Sequence, residues 1–169
     1  MGTAPDSIGW VSEADLLRIA RVARSTRRHW ARKQLVTDPG NGRYRERDVV
    51  ETVVLDLLVR ATGFADAALA WGQHGGAVLD SILSASTTPG EQLDLVVSVE
   101  LADLSLARTD SEVGSTARGG GQPRAFLVVP LAAALAEARS AFWTFAGRSR
   151  APTDRRRRQR PRGKRRSRG

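Results

Sequence analysis

The densest group of anion-binding side chains outside the C-terminus lies in Thr26–Lys33, where Arg27, Arg28, Arg32 and Lys33 share eight residues with His29 and Trp30. Guanidinium groups meet phosphate oxygens or a guanine edge through a bidentate fork, and one aromatic among them can anchor the segment to a core. That is the chemistry of gripping a polyanion, not of turning a substrate over. Arg43-Tyr44-Arg45 repeats the theme on a smaller scale. Nothing else in the chain reads as reactive. There is no cysteine, which excludes disulfides, thiolate zinc sites and thiol redox sensing. His29 and His74 are the only histidines, and neither has acidic neighbours at ligand spacing or a Ser-His-Asp setting. No catalytic residue, metal site or cofactor is expected, and the chain reads as a non-enzyme. Asp94, Glu100 and Asp103 fit the wet face of a strand. Gly119-Gly120-Gly121 runs into Gln122-Pro123-Arg124 instead of Lys-Ser or Lys-Thr, so it reads as a flexible tip and not as a phosphate loop. Trp71, Phe142, Trp143 and Phe145 can be drawn as an effector pocket, but their spacing suits core or interface, and a small-molecule effector has no support.

These residues need elements to hold them. Ser12-Glu13-Ala14-Asp15 resembles a capping box opening a short helix that ends near Arg21. Val22-Ala23-Arg24 is a tight link, and Ser25 is the N-cap candidate for a second helix, Thr26 to Gln34. Two short helices in so few residues predict a helix-turn-helix. Asp38-Pro39-Gly40-Asn41-Gly42 is dense turn chemistry flanked by Leu35-Val36 and Arg43-Tyr44-Arg45, which predicts a small β-hairpin. From Glu46, the spacing of Val49, Val50, Val53, Val54, Leu57 and Leu58 predicts a third helix ending at Thr62-Gly63. Phe64–Leu83 is helical in pattern, with Gly72, Gly75 and Gly76 expected to kink or split it. Ser84–Gly90 is the expected domain boundary.

Beyond it, Leu93 to Leu101 alternates apolar with polar at period two, predicting a strand, and the slip to Leu104 and Leu106 predicts a bulge near Ala102. Ala125–Val129 is its expected antiparallel partner. Pro130 then suits the first position of a helix with the stripe Leu131, Leu135, Ala138 and Phe142. The fold class is therefore α+β, with a mostly helical winged helix-turn-helix domain over residues 10–84. A small ββα dimerisation or effector unit follows over 91–147, and a disordered Arg-rich tail over 148–169. The ββα unit is too small to stand alone and is expected to pack on the first domain or on a second subunit.

Charge is unevenly spread. Residues 147–169 carry eleven Arg, one Lys and one Asp, a net +11 within a total of +9, so the remainder sums to −2. Residues 12–60 hold +4 and residues 61–146 hold −5, so only the first block and the tail favour polyanions. No stretch reaches the roughly 20 apolar residues that a bilayer requires, and Met1–Trp10 lacks signal-peptide features, so a cytoplasmic, nucleoid-associated protein is expected.

The N-terminal 75 or so residues resemble the MerR family of bacterial DNA-binding proteins. That family's second helix reads approximately Thr-Leu-Arg-Tyr-Tyr-Glu-Arg-Lys-Gly-Leu-Leu, and Thr26–Val36 aligns with it without a gap, with Thr26, Arg28, Arg32, Lys33 and Leu35 identical. Gly42-Arg43-Tyr44 with Asp48 is similar to the end of the family's wing, and Gly63-Phe64 stands where its third helix ends. Arg27 occupies a position that is apolar in the family, and the family's long dimerisation helix has no counterpart here. The resemblance implies a sequence-specific transcriptional regulator that puts its second helix in the major groove of double-stranded DNA, with Arg28 and Trp30 on the backbone. The expected DNA-binding set is Ser25, Thr26, Arg27, Arg28, His29, Trp30, Arg32 and Lys33 on the helix, with Arg43, Tyr44 and Arg45 on the wing. Double-stranded DNA and a second copy of the chain, as a homodimer, are the expected partners, with no membrane. The alternative is an architectural DNA-binding protein, such as an excisionase-like recombination factor or a segregation factor.

Overall fold

The computed structural model describes residues 9–85, 92–98, 103–107 and 126–149. Helix α1 (Glu13–Ala20) starts at Ser12, whose Oγ accepts from the Asp15 backbone N–H, and it stops where Arg21 turns left-handed at φ 57°. Three residues later α2 (Arg24–Arg32) begins. Its N-cap is Ala23, with no side-chain cap, so Ser25 lies inside the first turn and does not initiate the helix. Gln34, at φ 58°, ends the run.

The loop after α2 corrects the expected hairpin. Leu35-Val36 and Arg43-Tyr44-Arg45 do not pair; Tyr44 instead exchanges backbone hydrogen bonds with Val11, which precedes α1. Leu35 and Val36 point into the core, and the Leu35 carbonyl accepts the Trp71 indole N–H at 2.9 Å. With both side chains and a carbonyl committed inward, this segment has no edge to offer a strand. The tip is held by its own side chains: Asp38 accepts from the Gly40 N–H and Asn41 from the Arg43 N–H, with Gly40 and Gly42 at positive φ.

Helix α3 (Glu46–Thr62) runs through the centre and ends at Gly63, φ 85°. Helix α4 (Phe64–Ser84) is continuous, so Gly72, Gly75 and Gly76 do not split it. Gly75 serves packing, because the Trp71 indole one turn earlier lies over its α-carbon.

Among the described residues the C-terminal unit has three strands where two were expected. Strands β1 (Asp94–Ser98), β2 (Asp103–Ala107) and β3 (Phe126–Pro130) form an antiparallel sheet in the order β2-β1-β3. Leu95 faces Leu106 on one side and Val129 on the other, and Val97 faces Leu104 and Leu127. The phase slip read as a bulge is thus the reversal into β2; the remainder of the expected first strand, residues 99–101, lies outside the described residues. Pro130 closes β3, and α5 (Ala132–Ser149) starts two residues later. Leu131 just ahead of it and Leu135, Ala138 and Phe142 along it are buried as expected.

Helix α5 packs on α3 and α1, and β2 packs on α4. One apolar cluster joins side chains from every helix and strand, from Val11 and Leu16 to Phe142 and Ala146. The Arg139–Glu46 pair at 3.0 Å ties α5 to the start of α3, and Arg139 also donates to the Ile82 carbonyl. Among the described residues no helix is long and apolar enough to cross a membrane. The expected boundary lies mostly at residues 86–90, and the tail beyond Ser149, outside the described residues.

Candidate nucleic-acid interface

Helix α2 has two faces, set by its 3.6-residue repeat. Arg27 and Trp30, three apart, turn inward and are each 2 % exposed. Arg24, Arg28 and Arg32, four apart, form an exposed cationic stripe. Beside the stripe lies an open groove of about 790 Å³ lined by Arg24, Ser25, Arg28, Ala31, Arg32 and, from the loop tip, Asp38. The arginine stripe and the tip of the 33–45 loop therefore share one surface.

The sequence-predicted residues divide accordingly. Ser25, Arg28 and Arg32 line the groove, and Lys33 is exposed at the end of α2. Thr26 is half-buried. His29 is exposed on the flank, with its ring 5.1 Å from that of Phe64. Arg43 is exposed and lies over the Trp10 ring at 4.9 Å, while Arg45 is exposed at the start of α3. Three expectations are corrected: Arg27, Trp30 and Tyr44 are buried and have no outer surface to offer a ligand. Trp30 is wholly an anchor.

Arg27 has a different role from its neighbours. Its guanidinium carbon lies 4.5 Å from the Tyr44 ring centroid, and its Nη2 donates to the Thr37 carbonyl at 2.7 Å. Its buried Nε has no hydrogen-bond partner among the described residues. A planar cation stacked on an aromatic and bonded to backbone links both ends of the loop to α2. Two carboxylates on α3 hold the same ends from the other side. Glu51 accepts from the Thr37 N–H at 2.7 Å, and Asp48 accepts from the Arg45 N–H at 2.7 Å. Burial pushes both carboxyls above their ordinary pKa, with the hydrogen bonds they accept and the charges of Arg47 on both and of Arg27 on Asp48 opposing the shift. Burial likewise raises the Tyr44 phenol, opposed by Arg27.

The raised carboxyl values fix the sign of a pH effect. A carboxyl with a higher pKa folded than unfolded contributes stability below its unfolded value, and that contribution is lost as pH rises through the folded value. Thermal melts of the wild type and Glu51→Gln are therefore expected to differ most in favour of the wild type at about pH 4, with the gap closing towards pH 7. A gap that widens with pH would contradict this reading.

Three groove residues lie outside the set expected from sequence: Arg24, Ala31 and Asp38. The one-turn spacing Arg24-Arg28-Arg32 is the signal for the first, which the cap-like Ser25 masks; Asp38 carries only a turn signal. Among the described residues no group of three acidic or histidine side chains is placed to hold a metal ion. Comparison with protein-family models finds no match for this chain, and comparison with curated proteins finds none either.

Proposed function

We propose that this protein is a sequence-specific, double-stranded-DNA-binding transcriptional regulator. In this reading α1 and α2 act as a helix-turn-helix, α2 enters the major groove, and the 33–45 loop flanks it as a wing. The observation that carries the proposal is the stripe Arg24, Arg28 and Arg32 set in an open groove with the loop tip along its edge. Three guanidiniums at one-turn spacing on an exposed helix can follow a row of phosphates or reach base edges, and Trp30 beneath them keeps the helix in place. Arg43, stacked on Trp10, supplies a cation on the wing that positions the protein without reading sequence. The reading includes binding as a homodimer to an inverted repeat.

The test is titration of labelled duplexes with the full chain. Arg28→Ala and Arg43→Ala are each expected to weaken binding by about 1–3 kcal/mol. Unchanged affinity in both variants would refute the docking. The +11 segment at residues 147–169 favours a second reading, an architectural protein that coats or bends DNA. Deleting residues 148–169 distinguishes the two: a regulator keeps its preferred site, whereas a coating protein loses most of its affinity.

A further inference from the structure

Glu13, the first residue of α1, sits between two of the groove's arginines. Its Oε2 lies 3.3 Å from the Arg24 Nε and its Oε1 3.7 Å from the Arg28 Nε, so one carboxylate is shared between two guanidiniums. The carboxylate side chain is 25 % exposed, against 55 % and 64 % for the arginines, so the acid lies beneath the pair and not out in solvent with them. Arg24 and Arg28 are one helical turn apart, a spacing at which like charges repel and splay. An acid between two phosphate-seeking cations lowers the local positive potential and so opposes indiscriminate binding to polyanions. It also contacts both arginines at Nε, near the stem, which restricts rotamers that an exposed arginine would otherwise sample freely. A pre-oriented guanidinium loses less freedom when it engages a base edge or a fixed pair of phosphates.

We infer that Glu13 is a positioning residue that exchanges general affinity for DNA for discrimination between sequences, by holding Arg24 and Arg28 in one arrangement across the groove. The inference rests on the DNA-binding reading above. A purely electrostatic role predicts that neutralising Glu13 strengthens binding to every duplex alike. Positioning predicts that the preferred sequence loses its advantage.

The experiment selects duplexes from a random library with the full-length wild type. It then measures affinity for the selected site and for a random duplex at one salt concentration, for the wild type, Glu13→Gln and Glu13→Asp. Glu13→Gln is expected to bind the random duplex as well as or better than the wild type while the ratio of selected to random affinity falls about tenfold. Glu13→Asp keeps the charge and shortens the reach, and it is expected to lower that ratio too, without tighter binding to the random duplex. Circular dichroism melts ensure that only folded variants are compared. If both variants keep the wild-type ratio, Glu13 is not a positioning residue, and the DNA-binding reading survives. If the wild type enriches no sequence, sequence-specific recognition itself falls, and this inference with it.

Discussion

Arg27→Ala is expected to destabilise the protein by about 3 kcal/mol and to weaken the proposed DNA binding, although Arg27 is buried. The alanine removes the cation stacked on Tyr44 and the donor to the Thr37 carbonyl, and leaves a void beneath the loop. Two groups that the loop offers to Arg27, the Thr37 carbonyl and the Tyr44 ring, then lose their common partner. Denaturant unfolding reads the stability, and amide exchange at residues 37–45 reads the loosened loop. Arg27→Lys is expected to recover little, because an ammonium has neither the plane that stacks nor the fork that reaches. A loss under about 0.5 kcal/mol for the alanine variant, the size typical of a surface substitution, would show that Arg27 is not the pin described here.

Gly75→Ala is expected to destabilise by about 3 kcal/mol, the reverse of the usual effect of alanine in a helix. A β-carbon at residue 75 would stand 2.6 Å from the Trp71 ring, and the indole cannot simply move aside because its N–H is bonded to the Leu35 carbonyl. Displacing Trp71 also releases the start of the loop that carries the groove's edge. Gly72 and Gly76, in the same helix, have no atom within 4 Å of an added β-carbon. Alanine at either is expected to stabilise by about 0.5–1 kcal/mol through the ordinary loss of backbone freedom in the unfolded chain. Opposite signs for neighbouring glycines in thermal melts are a direct check on how α4 packs. The same sign at all three would show that Trp71 does not rest on Gly75.

Both substitutions act on the groove from beneath. Arg24 and Arg28 are paired with Glu13, and the loop beside them is fixed by hydrogen bonds from α2, α3 and α4: Arg27, Asp48, Glu51 and the buried Trp71. As pH rises, burial of the two ionised carboxylates costs the fold stability, while the bonds they accept from Thr37 and Arg45 favour the charged forms and offset part of that loss.

The elements with a long apolar period were legible in the sequence: α3 with its end at Gly63, the Ser12 start of α1, and the buried stripe of α5. In each case burial of one face repeats at a fixed spacing, and the terminating residue has a local conformational reason to be there. The cationic character of α2 was legible for the same reason. Which arginines face out was legible only in part, from the one-turn spacing of Arg24, Arg28 and Arg32. Arg27 and Arg28 are identical in type and adjacent, and only the position of Tyr44 and Thr37, brought over by the pairing of Tyr44 with Val11, makes one of them a core residue. Likewise a shift in the apolar phase between Val97 and Leu104 is the same string of letters for a bulge and for a chain reversal. The pairing of Val97 with Leu104 across the sheet decides it. Local sequence determines period, capping and charge; partners distant in the chain determine burial, because the energy of sinking a guanidinium or a glycine α-carbon depends on what meets it there.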